Sequence, residues 1–367
     1  MKRARWIRQA GWLVALLAAQ SNAQNQDMSL GLPTLARPDS AQVALGRKLF
    51  FDRRLSINGT LSCAMCHVPA QGFASNELRT SVGMEGVSLR RNAPTLLNVG
   101  FVNKLFLDGR AVTLEAQALQ PMLHPDEMAN PNLGAVLARI GSLPEYRPLL
   151  RNAYGDPKPS AWRLARAVAA YERSLVAGGS SFDRWRYGGQ KDALGPLAQR
   201  GFALFADQGC IACHVVGDRD ALFSDAAFHN TGVQSRSEAK RADGTAVVLT
   251  KDLATVVSPE TLRRIGVPDV SDQGRAEVTR RIADWRAFRT PSLRNVALTA
   301  PYMHDGSFAS LGDVLDYYAS GGAPEDTQQD KRLRPFALDA SDKDALIAFL
   351  ESLTSPAAGI LAKSKPP

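Results

Sequence analysis

"LSCAMCH" at residues 61–67 sets two cysteines three positions apart with a histidine directly after the second, and "GCIACHVVG" at 209–217 repeats the arrangement. The residues are Cys63, Cys66 and His67, then Cys210, Cys213 and His214. Cys-x-x-Cys-His is the attachment pattern of a c-type haem. On one helical turn the thiols reach the two vinyl groups while the adjacent imidazole meets the iron. The chain has 4 cysteines, and the two copies use all of them. Redox disulfides and a shared zinc site are the rivals. Neither explains a histidine after each pair, and structural zinc pairs lie much closer in sequence than these do. The reading is two covalently bound c-type haems, with His67 and His214 as their iron ligands.

Working outward, GRKLFFD (46–52) precedes the first motif and GFALFAD (201–207) the second. Glycine, the Leu-Phe pair and aspartate coincide in this degenerate repeat, which predicts a helix leading into each haem site. Between them SAWRLARAVAAYERSLVAGG reads as an amphipathic helix. Ser160 caps it, Leu164, Val168, Tyr171 and Leu175 form the stripe, and Gly178–Gly179 end it. Ser341 and Asp344 resemble a capping box before ALIAFLESL. Residues 234–270 are charged, punctuated by Pro and Gly and without periodicity, which predicts a loop. No alternating strand series is visible. The expected fold is therefore mainly α, two cytochrome c-like haem domains with long connecting loops, 24–186 and 187–367, divided within 178–191.

The N-terminus, MKRARWIRQAGWLVALLAAQSNAQ, has a basic start, a short apolar run and small residues after it. This predicts a cleavable signal peptide over 1–23 and export to the periplasm, the run being too short for a membrane span. Later stretches give no reason to expect stable membrane insertion. Of the net charge of +8, four positive charges lie in that segment, at Lys2, Arg3, Arg5 and Arg8. The remaining basic residues are scattered and not interleaved with aromatics, which argues against nucleic-acid binding.

RRNAPTLLNV (90–99), LDGRAVTLEAQALQPMLHPDEM (107–128), FHNTGV (228–233), DQGR (272–275) and FRTPSLRNVALTAPYMHDGS (288–307) together resemble the bacterial di-haem cytochrome c peroxidase and MauG family. The resemblance spans nearly the whole chain after the signal segment. It implies that the N-terminal haem receives hydrogen peroxide and that Glu127 is the distal acid/base carboxylate, Gln117 a pocket hydrogen-bonding residue and Pro121 a pocket wall. Cleaving an O–O bond requires a group that takes a proton from one oxygen and delivers it to the other. Peroxidases of the family carry a distal histidine; here SVGMEG places Met84 there, read as a surface-loop or pocket-lining residue rather than a ligand. His124 is a second rival, either ligand or pocket residue. The resemblance further implies a calcium ion between the domains at Asn92, Thr299 and Pro301, the last two through backbone carbonyls, and oxygen donors suit calcium.

The family's sixth ligand to the second iron lies fourteen residues after the histidine of Pro-Tyr-x-His, which is His304 here; the position is Tyr318. Leu311, Val314, Leu315 and Tyr318 follow helical spacing on one face, with Tyr317 projecting off it. Met303 is the alternative ligand. Electron-transfer relatives carry methionine at the Tyr318 position. A thioether raises the haem potential, whereas a hard anionic oxygen favours the oxidised iron. Tyrosine is the MauG pattern, which implies peroxide-driven oxidation of aromatic residues, expected to be Trp, on a periplasmic partner protein. The alternatives are reduction of peroxide with electrons from a small cytochrome or cupredoxin, and a di-haem electron carrier. Leu107 stands where the family has an inter-haem Trp, so charge exchange must use direct tunnelling or another aromatic, Phe106 or Trp285. The 234–270 segment is longer than in many relatives and is expected to help select the partner.

Overall fold

A computed structural model describes residues 28–242, 245–250, 253–257 and 271–363, with residues 239–257 described by backbone alone. The signal segment therefore lies outside the described residues. The chain forms α1 (Ser40–Phe51), α2 (Cys63–Cys66), α3 (Leu114–Leu123), α4 (Leu133–Ser142), α5 (Tyr146–Tyr154), α6 (Ala161–Arg173), α7 (Ser181–Arg186) and α8 (Pro196–Asp207). Then come β1 (Phe228–His229), α9 (Val233–Ala242), β2 (Thr245–Thr250), β3 (Leu253–Val257), α10 (Ala276–Thr279) and β4 (Phe288–Arg289). The last three helices are α11 (Leu311–Ala319), α12 (Ala340–Ser352) and α13 (Pro356–Ala362). The fold is mainly helical, with two two-stranded antiparallel sheets, β1–β4 and β2–β3.

Both repeat motifs are helical, in α1 and α8, and their glycines explain why the repeat exists. A Cβ on Gly46 would lie 1.8 Å from the Ala167 carbonyl oxygen of α6, and one on Gly201 would lie 1.9 Å from that of Ala345 on α12. The lead-in helices α1 and α8 thus cross α6 and α12 at backbone contact. The aromatic after each glycine then packs across the crossing: Phe50 on Tyr171 at 5.1 Å, Phe205 on Phe349 at 5.0 Å. Two cores grow from these crossings, one around Phe50 and Leu96, the other around Phe182, Phe223 and Phe349. The C-terminal α13 returns to the first core through Ala357 and Ala358.

A second repeat, hidden in the sequence by substitutions, appears in the loops. Asn98 and Asn295 are both left-handed, at φ 63° and 60°. Asn98 Oδ1 accepts from the Ala177 amide and Asn295 Oδ1 from the Ser355 amide, each at 2.8 Å. Leu105 bridges Ala111, and Tyr302 bridges Phe308, in the same way. Thr113 then caps α3 and Ser310 caps α11. The two halves therefore correspond turn for turn from Pro94/Pro291 to Pro121/Tyr318.

Three local expectations need correction. Residues 234–270 are not simply loop: α9 runs to Ala242 and a hairpin follows at 245–257, while 258–270 lie outside the described residues. The inward positions at the start of α9 are Val233, Gln234 and Ser237, and two polar residues among them erase the apolar periodicity. The hairpin strands, TAVVLT and LATVV, are β-branched rather than alternating. The cap of α12 is Asp339, which accepts from the Asp342 amide at 2.8 Å, not Ser341, which lies inside the helix and accepts from Arg200. The α6 helix ends at Arg173, so Leu175 is buried beyond it. Tyr317 does project off the face shared by Leu311, Val314, Leu315 and Tyr318, and is buried against Val233 and Phe308, with its hydroxyl donating to the Thr231 carbonyl at 2.7 Å.

Candidate functional site

One continuous cavity of about 1220 Å³ runs between the two halves and is lined by both His67 and His214. That exceeds the roughly 300–1,000 Å³ of a pocket for a single small ligand. At the first end, α2 presents Cys66 and His67. The His67 Nδ1–H donates to the Phe73 carbonyl at 3.2 Å. A carbonyl can only accept, so Nδ1 carries the proton and Nε2 keeps a bare lone pair. At the second end the His214 Nδ1–H donates to the Phe223 carbonyl at 2.8 Å. Burial pulls both imidazoles below their ordinary value, which keeps them neutral and able to coordinate a metal. Such a second hydrogen bond orients an imidazole ligand toward its metal.

All four cysteines are unpaired. Burial pushes Cys63 up to about 12 and Cys210 up to about 11, so these thiols are poor thiolate ligands. Among the described residues, the one group of three metal-ligating side chains is Cys213, Asp225 and His229, which contains a single cysteine. The donor set therefore does not fit a shared zinc or a disulfide pair. Neutral thiols beside a bare, oriented Nε2, twice over in one large cavity, fit two covalently attached haems.

The first end carries the predicted pocket. Gln117 and Pro121 lie one helical turn apart on α3 and line the cavity with His124 and Glu127. The chain turns after α3, with the Glu127 amide donating to the His124 carbonyl at 3.1 Å and the Ala129 amide to the same oxygen at 2.9 Å. Asn130 anchors the turn through its Nδ2, which donates to the carbonyls of Leu55 and Met122. Burial raises Glu127 above its ordinary value, while the charges of His124 and Arg110 pull it partly back. Met84 does not line the cavity. It is buried, its sulfur accepting from Asn58 Nδ2 at 3.2 Å, and its amide donates to the Asp126 carbonyl. The surface-loop and pocket-lining readings of Met84 are both corrected: it clamps the turn that carries Glu127.

At the second end Leu311, Val314, Leu315 and Tyr318 all line the cavity. Burial raises the Tyr318 phenol above its ordinary value, with Cys210 and Cys213 adding to the shift. Its hydroxyl has no hydrogen-bond partner among the described residues, whereas that of Tyr317 is held by Thr231. Met303 also lines this end. Between the ends, Leu107 accepts from the Arg289 amide at 2.8 Å, and Phe288 stacks on His304 with centroids 3.8 Å apart. Phe106 lines the cavity beneath the Arg110 guanidinium; Trp285 does not line it. The Phe288–His304 stack was not anticipated, because local spacing does not mark two residues 16 apart in a loop-rich segment as neighbours.

At the domain junction Asn92 Nδ2 donates to the Pro301 carbonyl at 2.6 Å, and its Oδ1 is buried without a partner. Thr299 lines the cavity nearby.

Two cytochrome c-like halves around one cavity, each with its thiol pair and oriented imidazole, define a di-haem c-type protein. Residues 40–192 match the family described as di-haem cytochrome c peroxidase. The chain is 36% identical over 355 residues to the methylamine utilization protein MauG of Methylorubrum extorquens, covering 93% of this chain and 89% of that protein. It is 36% identical over 317 residues to the cytochrome-c peroxidase IdrP1 of Denitromonas iodatirespirans, covering 85% and 81%. Among solved structures it resembles a MauG-like protein associated with microbial copper homeostasis, with a TM-score of 0.72 and 29% identity over 92% of this chain and 98% of that one. The chain belongs to the di-haem cytochrome c peroxidase/MauG family and is a hydrogen-peroxide-dependent oxidoreductase.

Proposed function

We propose that this protein uses hydrogen peroxide to oxidise an aromatic side chain, expected to be Trp, on a periplasmic partner protein. The observation that carries the reading is a contrast between corresponding helix positions. Tyr318 offers an unpartnered phenol oxygen to the cavity at the end that holds Cys210 and Cys213, while its counterpart on α3 is Pro121, which has no donor. Held by the four cysteines, His67 and His214, the two haems supply the redox chemistry. Pro121 would leave its end of the cavity without a protein donor, whereas Tyr318 would offer a hard oxygen at the other end. Glu127 takes a proton from one peroxide oxygen and returns it to the other. Gln117 hydrogen-bonds the bound peroxide.

Met303, which shares the second end of the cavity, supports a second reading. With a thioether on that iron the protein would instead reduce peroxide with electrons from a small cytochrome or cupredoxin. Low-temperature EPR and near-infrared spectra of the ferric protein separate the two. Tyrosine ligation predicts one high-spin and one low-spin iron, no methionine charge-transfer band, and a peroxide reaction that needs no prior reduction. Tyr318→Phe should convert the low-spin signal to high-spin and abolish partner oxidation. A methionine band in the wild type, lost in Met303→Leu, would establish the peroxidase reading.

We also assign a calcium ion to the junction at Asn92, Thr299 and Pro301. Half a turn of the Asn92 amide brings its unpartnered oxygen beside the Pro301 carbonyl, giving the oxygen donors calcium prefers. Elemental analysis of the purified protein should find calcium with the two irons, and Asn92→Ala should lose it; a calcium-free, fully active protein would exclude the site.

A further inference from the structure

We propose that His124 is the proton inlet of the peroxide site, passing protons from bulk water to Glu127; this rests on Glu127 being the acid/base group. The stoichiometry requires an inlet. Splitting the O–O bond needs no net proton, because Glu127 takes one and returns it. Completing the turnover does: H2O2 + 2 e− + 2 H+ → 2 H2O. The electrons come from the molecule being oxidised, and the protons must enter from solvent on the side where Glu127 sits.

His124 is placed for that task. It is exposed, yet it lines the same cavity as Glu127, in the turn between the end of α3 and the carboxylate. The two make no direct ion pair, but the His124 charge acts on Glu127. A proton passing between them therefore travels through water in the cavity they share. The Asp126 amide donates to His124 Nδ1 at 3.2 Å, so the neutral ring carries its proton on Nε2, the opposite nitrogen. When that hydrogen bond opens, Nδ1 can take a proton from water while another leaves from Nε2, which moves one charge through the ring.

The other charged groups around the pair do not fit the role. Arg110 is committed to Asp108 at 2.8 Å and to Gln120 at 3.2 Å, and a guanidinium does not release its proton. Asp108 is also held by Arg91. Arg90 is paired with Glu277 at 2.7 Å. Asp126 is exposed, its carbonyl accepting from the Met84 amide, and it is the competing inlet.

The test uses the full holoprotein and two readouts. In stopped-flow, His124→Asn should slow the return of the peroxide-oxidised protein to its starting state by roughly 10-fold, less than the 10²–10⁴-fold of a direct acid/base group because water still carries some protons. Added imidazole should restore the rate. In the ferric protein without peroxide, the pH midpoint of the haem absorption shift that Glu127→Gln removes should move upward in His124→Asn, because a positive neighbour of Glu127 is gone. An unchanged return rate and midpoint would overturn the proposal, as would the same slowing in Asp126→Asn instead. A change of iron coordination in His124→Asn would show a ligand rather than an inlet and would also overturn it. If Glu127→Gln oxidises at the wild-type rate, the acid/base reading fails on its own, and that arm is scored separately.

Discussion

Tyr318 and Pro121 occupy corresponding turns of α11 and α3, and the difference between a phenol and a pyrrolidine ring separates the two ends of the cavity. Glu127 is the third group of the proposed chemistry. Its burial raises its proton affinity, and the neighbouring charges of His124 and Arg110 keep that rise in check. A carboxyl group held closer to neutral pH can both take and give a proton. We predict that Glu127→Gln keeps both haems but slows formation of the peroxide-oxidised state by about 10²–10⁴-fold, read by stopped-flow absorption. An unchanged rate would return Glu127 to the role of a structural carboxylate. At this scale the two Cys-x-x-Cys-His motifs were legible because haem attachment needs a fixed local spacing. The fate of Met84 was not: its partners, Asn58 and Asp126, come from distant segments.

The helices α1 and α8 are specified by the same seven-residue idea, and the invariant part of it is steric. Gly46 and Gly201 leave room for the carbonyls of Ala167 and Ala345, and the aromatics that follow lock the crossing. Gly46→Ala and Gly201→Ala should each destabilise their half by about 1–3 kcal/mol, the usual cost of overpacking, despite the better helix propensity of alanine. Thermal melting followed by circular dichroism, and by haem absorption for each half, measures this; a rise in melting temperature would show that the crossing relaxes freely. Capping at α3, α6 and α11 follows local rules. The misassigned cap of α12 shows their limit, since Asp339 and Ser341 both satisfy the pattern and the chain's exit from the preceding loop chooses Asp339.

The halves meet through buried charge. Arg91 donates to Asp272 through Nε and Nη2 at 2.6 and 2.7 Å and also pairs with Asp108. Burial alone would raise both carboxyls, but the hydrogen bonds and charge of Arg91 reverse this and hold them below their ordinary 3.8. A carboxyl depressed on folding adds stability above its unfolded value and loses it as pH falls through the folded one. The junction should therefore weaken below about pH 4, near the ordinary carboxylate value. Arg91→Met should cost about 3 kcal/mol, the low end for a broken buried pair because Arg90 and Arg110 remain. Denaturant unfolding monitored separately at the two halves should then show two transitions instead of one. A single unchanged transition would mean that the apolar contacts alone couple the halves.

At the level of the whole molecule, the sequence by itself determined the two attachment sites, the mainly helical fold, the lead-in helices and the buried face of α11. Each depends on residues within a turn or two of one another, where spacing dictates geometry. Only the tertiary structure decided that both ends share one cavity, that Phe288 stacks on His304, and that Pro121 corresponds to Tyr318. Those relations depend on how segments beyond one helical turn of each other are placed, which local spacing does not fix. The helix and hairpin after His229 were hidden for a related reason. The helix turns polar Gln234 and Ser237 inward, where Gln234 meets His304 and Ser237 meets Asp305, so hydrophobic periodicity could not mark its buried face.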